Sequence, residues 1–105
     1  MNDELTKRDK QIIGECLNAL ANGPFIPDWE FPIICSFERE EMAQLAAKYP
    51  HDEDSEDMLY AIDDAMNNLT GYPHHQENEL AKRVSAPLEE IKAVYRKWRR
   101  LKLNK

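Results

Sequence analysis

Apolar residues recur along the chain at three- and four-residue steps in several separated stretches, and no stretch alternates apolar with polar residues long enough to predict a strand. From Glu4 to Ala21 the positions Leu5, Ile12, Ile13, Cys16, Leu17 and Leu20 follow the helical period. Asn22-Gly23-Pro24 ends that helix, with Gly23 expected as a left-handed cap and Pro24 unable to continue. A second helix is expected to start at a Ser36 N-cap, where Glu38, Glu40 and Glu41 suit the positive end of the dipole. It runs to about Lys48, burying Phe37, Met42 or Ala43, Leu45 and Ala46, and Tyr49-Pro50 closes it. Ser55 caps a third helix to about Leu69 that buries Met58, Leu59, Ile62, Ala65, Met66 and Leu69, with Gly71 as its stop. A short helix from Glu77 to Val84 and a long one from about Pro87 to Lys102 follow, the last burying Leu88, Ile91, Val94 or Tyr95, Trp98 and Leu101.

Between the first two helices, residues 24–32 hold three prolines and the aromatics Phe25, Trp29 and Phe31, which predicts an irregular loop pinned by buried rings. Together these elements predict an all-α fold over 1–105, a single compact bundle of four to five helices with the last two in a helix-turn-helix arrangement. The Trp98 face serves either as intrachain core or as half of a dimer seam.

Composition sharpens this picture. A chain of 105 residues with 14 Lys+Arg against 20 Asp+Glu, net −6, has room for one modest core, which excludes a large two-domain enzyme. A mean hydropathy of −0.74 is polar, yet 42% hydrophobic residues are too many for a disordered chain. The charge is divided unevenly: residues 1–91 carry 7 basic and 20 acidic residues, net −13, while residues 92–105 carry 7 basic and none acidic, net +7. The charged first ten residues lack the apolar run of a secretory signal, and no apolar stretch reaches bilayer length. The chain is therefore expected to be cytoplasmic and without membrane contact, with Cys16 and Cys35 as free thiols and Cys16 a small core hydrophobe.

Helix-turn-helix spacing asks for a small residue, a turn residue four later, and apolar residues six and nine beyond that, met here by Ala81, Ser85, Ile91 and Val94. Ser85 in place of the usual Gly makes a left-handed turn costly. The residues placed to face bases, Pro87, Leu88, Glu89, Lys92 and Ala93, form an apolar and acidic tip poorly suited to a groove. Lys92, Arg96, Lys97, Arg99 and Arg100 offer at most a brace for a phosphate backbone, and the acidic remainder repels a duplex. Nucleic-acid binding is thus the secondary expectation; the basic residues also suit the negative end of a helix dipole.

The run Asp52, Glu53, Asp54, Glu56, Asp57 departs from a calcium loop, because Asp57 stands where Gly is required and no Glu occupies the twelfth position. Two readings remain: a mimic of phosphates that docks on a basic protein, and a solvated helix start that faces the basic last helix. His51, His74 and His75 fall short of a zinc site, which needs three or four ligands, because no His-Glu-x-x-His motif or Cys pair accompanies them; the i, i+4 spacing of His75 and Glu79 would put that pair on one helix face. Asp63 and Asp64 fall on the solvated face of their helix. Glycines stand only at 14, 23 and 71, too scattered for a phosphate loop, and no catalytic constellation, metal site or cofactor is expected. Trp29, between Asp28 and Glu30, reads first as a ring folded onto the core and second as an aromatic anchor for a basic partner.

The segments Phe25-Ile26-Pro27-Asp28-Trp29-Glu30-Phe31 and Asn67-Asn68-Leu69-Thr70-Gly71-Tyr72-Pro73-His74 resemble motifs of a group of small bacterial proteins, over roughly residues 14–100. No activity is assigned to that group, so none is implied. In size, helicity and acidity the chain is also similar to bacterial immunity proteins that neutralise nuclease toxins, a likeness of composition alone. The expectation is a non-catalytic interaction domain binding a basic protein through an acidic surface, with a DNA-binding regulator using residues 79–102 as the alternative.

Overall fold

The helix carrying the widest apolar arc becomes the axis of the molecule. In the computed structural model, which describes residues 4–72 and 75–103, α1 (Lys7–Asn22) packs against α3 (Arg39–Lys48), α4 (Glu56–Gly71), α5 (Glu77–Arg83) and α6 (Leu88–Lys102). It buries Ile12, Ile13, Cys16, Leu17, Ala19, Leu20 and Ala21 to satisfy those neighbours on several sides. A one-turn helix, α2 (Phe31–Ile34), completes six helices and no strand among the described residues. The chain is all-helical, with a Cα radius of gyration of 12.8 Å, the size of a compact domain of this length. No helix of the described residues is long and apolar enough to cross a membrane.

Capping follows local chemistry. Thr6 Oγ1 accepts from the Asp9 amide at 3.0 Å and Asp9 Oδ2 accepts from the Thr6 amide at 2.9 Å, so α1 starts at Lys7 rather than Glu4. Ser55 Oγ caps α4 from the Met58 amide at 3.2 Å, as its position in the sequence predicts. Ser36 is not the cap of α3: its amide donates to Asp64 Oδ2 at 2.7 Å, and the cap falls two residues later at Glu38, whose amide donates to Glu41 Oε1 at 2.9 Å. Asp64 is thereby a tie between loop and helix rather than a solvated carboxylate. Neither expected glycine stop is left-handed. Gly71 is the last residue of α4, and Gly23 is extended with φ −99°. What Gly23 supplies is space: a Cβ there stands 2.5 Å from the Ala19 carbonyl oxygen and 2.6 Å from the Phe25 ring.

Most of the expected core is buried, including Met42, Met58, Ile62, Met66, Leu69, Ile91 and Val94. Trp98 is 1% exposed within a single chain, so its face is intrachain core and not a dimer seam. Leu88, expected in the core, is 37% exposed at the first position of α6. Cys16 and Cys35 are both buried free thiols, pushed up to about 12 by burial.

Candidate functional site

The segment joining α1 to α3 is irregular but held from several directions. Phe25, Ile26 and Phe31 are buried, and the amides of Glu30 and Phe31 both donate to the Pro27 carbonyl at 3.0 Å, forming the tight turn that leads into α2. Arg39, the first residue of α3, organises the rest. Its Nη1 donates to the carbonyls of Leu20, Ala21 and Gly23 at 3.3, 3.1 and 3.3 Å, its Nη2 donates to Ile26, and its Nε pairs with Asp28 Oδ1 at 2.8 Å. Its guanidinium carbon also lies 4.5 Å from the Phe31 ring centroid. The last turn of α1 has no basic residue of its own to meet its orphan carbonyls, and Arg39 supplies one from another helix. Sequence reasoning overlooked this role. The available signal was that Arg39 is the sole basic residue between Lys10 and Lys48.

On this braced segment Trp29 points outward. Its ring is 71% exposed, against the expectation of a ring folded onto the core, and Ile33, four residues on, is 74% exposed. Of the three rings in this segment, Phe25 and Phe31 are buried and Trp29 is not. The two motif segments meet beside Trp29: Tyr72 Oη donates to Glu30 Oε1, and that bond holds the phenol protonated above its ordinary range. Pro73 and His74 lie outside the described residues.

The acidic run and the basic last helix are brought together. Lys102 Nζ reaches Asp54 Oδ1 at 2.7 Å and Glu53 Oε1 at 3.7 Å, Lys10 reaches Glu53 Oε2 at 3.1 Å, and Lys48 reaches Asp52 Oδ2 at 3.6 Å. Glu56 and Asp57 stand exposed in the first turn of α4. Much of this run is therefore occupied inside the chain.

The basic residues of α6 divide likewise. Lys97 is held by Asp9 Oδ2 at 2.7 Å at the edge of the core, where it is withdrawn from any phosphate. Lys92 lies 4.0 Å from Glu89, and Arg99 packs over the Tyr95 ring at 5.6 Å. Arg96, Arg99 and Arg100 line a shallow depression of about 410 Å³ with Leu103. Around the expected helix-turn-helix, Ile91 and Val94 are buried but Ala81 is exposed, Leu80 being buried beside it. Among the described residues the non-glycine positions with positive φ are Asp52 and His75, so Ser85 does not adopt the left-handed turn. The Ser85 amide and hydroxyl instead both donate to Glu15 Oε1 at 2.9 Å, and its carbonyl accepts from Arg8 at 2.9 Å, which fastens the corner onto α1.

His75 precedes α5 in a left-handed conformation, φ 57°, so it does not share a helix face with Glu79. No group of three or more His, Cys, Asp or Glu among the described residues is arranged to hold a metal ion. No family model, curated protein or solved structure matches the chain.

Proposed function

We propose that this protein is a non-catalytic interaction domain that binds a basic macromolecular partner, an inhibitor- or immunity-like role being its concrete form. The observation that carries the reading is the exposure of Trp29 and Ile33 on a segment whose backbone is otherwise clamped. An exposed indole on a rigid mount suits an interface anchor, because tryptophan contributes large contact area and little ordering entropy is lost when its support is already fixed. Of the acidic run, Glu56 and Asp57 remain the carboxylates best placed to meet such a partner.

A photo-activatable residue at position 33, introduced into the full chain and irradiated in the producing cell, tests this. A discrete protein adduct that disappears with Trp29→Ala, and weakens with Glu56→Lys and Asp57→Lys, is the expected result. An adduct indifferent to Trp29→Ala discards this face. The depression lined by Arg96, Arg99 and Arg100 favours a second reading, contact of α6 with a nucleic-acid backbone. Submicromolar binding to labelled duplex at low salt, falling steeply with added salt and lost in Arg96→Glu, places that reading first.

A further inference from the structure

We propose that the partner is recognised at Trp29 through a lysine or arginine side chain, which stacks on the exposed indole while the carboxylates that neighbour Trp29 in the chain, and those of the cleft that Asp28 borders, draw its charge. This inference rests on the reading of the Trp29 face as the contact surface. Trp29 lies between Asp28 and Glu30 in the chain, and Asp28 forms one wall of a cleft of about 610 Å³ that Glu38 and Glu40 also line. Among the described residues Arg39 is the cation lining that cleft, and its donors are directed at four carbonyls and Asp28. Ala21 and Asn22 also line the cleft, at the end of α1 whose carbonyls Arg39 already meets. Three carboxylates against one guanidinium leave the cleft net negative, and the electron-rich indole face next to Asp28 in the chain acts with the same sign. A cation over a tryptophan ring is attracted by the ring quadrupole, and flanking carboxylates steer it there. The same field repels a phosphate backbone or an acidic peptide. Ile33 adds an apolar contact, so the matching segment carries a basic residue next to an apolar one.

The chain holds two tryptophans, one exposed and one buried, so two indole N–H resonances report separately in a ¹⁵N-labelled sample. The full chain is titrated with a short lysine-rich peptide containing leucine, and with a glutamate-rich peptide of the same length and leucine content. The lysine-rich peptide is expected to move the Trp29 signal saturably and leave Trp98 in place, with at least a tenfold loss of affinity in Trp29→Ala. Glu38→Gln with Glu40→Gln is expected to weaken it about threefold, with amide spectra showing that each variant is folded. Equal response to the glutamate-rich peptide overturns the cationic assignment, as does lysine-rich binding that leaves Trp29 unmoved. No response to the lysine-rich peptide, while a Trp29-dependent crosslink from position 33 persists, overturns this inference and leaves the contact surface standing. A crosslink indifferent to Trp29 removes the surface itself. A Trp29 shift that follows protein concentration without peptide assigns the face to a second copy of the chain and likewise overturns the inference.

Discussion

The two tryptophans lie in regions of opposite construction. Trp98 sits on a long helix among Lys97, Arg99 and Arg100, in a run of cations, and is nonetheless buried. Trp29 sits among prolines and aromatic rings, in surroundings that read as core, and is exposed. On α6 the helical period alone settles direction: Ile91, Val94 and Trp98 share one stripe, and the charges fall on the other. Between α1 and α3 no period operates, and the segment is held by the turn at Pro27 and by Arg39 through the Leu20, Ala21, Gly23 and Ile26 carbonyls. Regular backbone makes orientation a local property, and irregular backbone makes it a property of the whole fold.

This contrast can be broken, most severely at Trp98. Trp98→Ala removes the largest fully buried side chain and should cost about 3–5 kcal/mol, read from the urea midpoint. A loss below about 1 kcal/mol means that the ring is not the packing centre claimed here. Arg39→Met keeps the bulk of the stem but leaves the Leu20, Ala21, Gly23 and Ile26 carbonyls without their donor. A loss of about 2–3 kcal/mol is expected, together with a changed Trp29 emission, since the segment is then unclamped. Unchanged emission would show that the buried rings alone hold the turn.

A smaller effect is expected at Lys97. Burial raises the Asp9 carboxyl, but the hydrogen bonds from Lys97 and the Thr6 amide outweigh it and hold the group below its ordinary value of 3.8. A carboxylate depressed in the folded state contributes stability above its unfolded pKa, and loses that contribution as pH falls through the folded value. Lys97→Met should therefore be less stable than the natural chain by about 1 kcal/mol at neutral pH, with the gap closing below about pH 4. A gap independent of pH would remove Asp9 from the account. Trp29→Ala should change stability by less than about 0.5 kcal/mol, the expectation for an exposed side chain. A cost comparable to that of Trp98→Ala would mean that the ring packs in solution and would erase the contrast between the two regions.

The charge division read from the sequence, −13 against +7, is also resolved by position. Lys97 and Lys102 turn inward to Asp9, Glu53 and Asp54, which ties α6 to α1 and to the loop before α4. Arg96 and Arg99 stay outside. Counting charges shows that opposite surfaces exist but not which residues cancel, because that depends on the approach of elements far apart in sequence.

The helical class, the burial of Trp98 and the Ser55 cap were legible in the residues themselves, since a 3.6-residue period and a capping hydroxyl act within a few positions. So were the ends of the five expected helices, to within two or three residues, while the one-turn α2 was not. The outward turn of Trp29, the withdrawal of Ser36 from its capping role and the clamp at Arg39 were not. Each depends on partners far along the chain: Asp64 for Ser36, and the end of α1 for Arg39. By itself the sequence determined the periodic elements, whose side-chain directions follow from local backbone geometry. Only the tertiary structure decided which aromatic ring of the proline-rich segment remains in water, because that segment has no helical period and its path is held by long-range hydrogen bonds from Arg39.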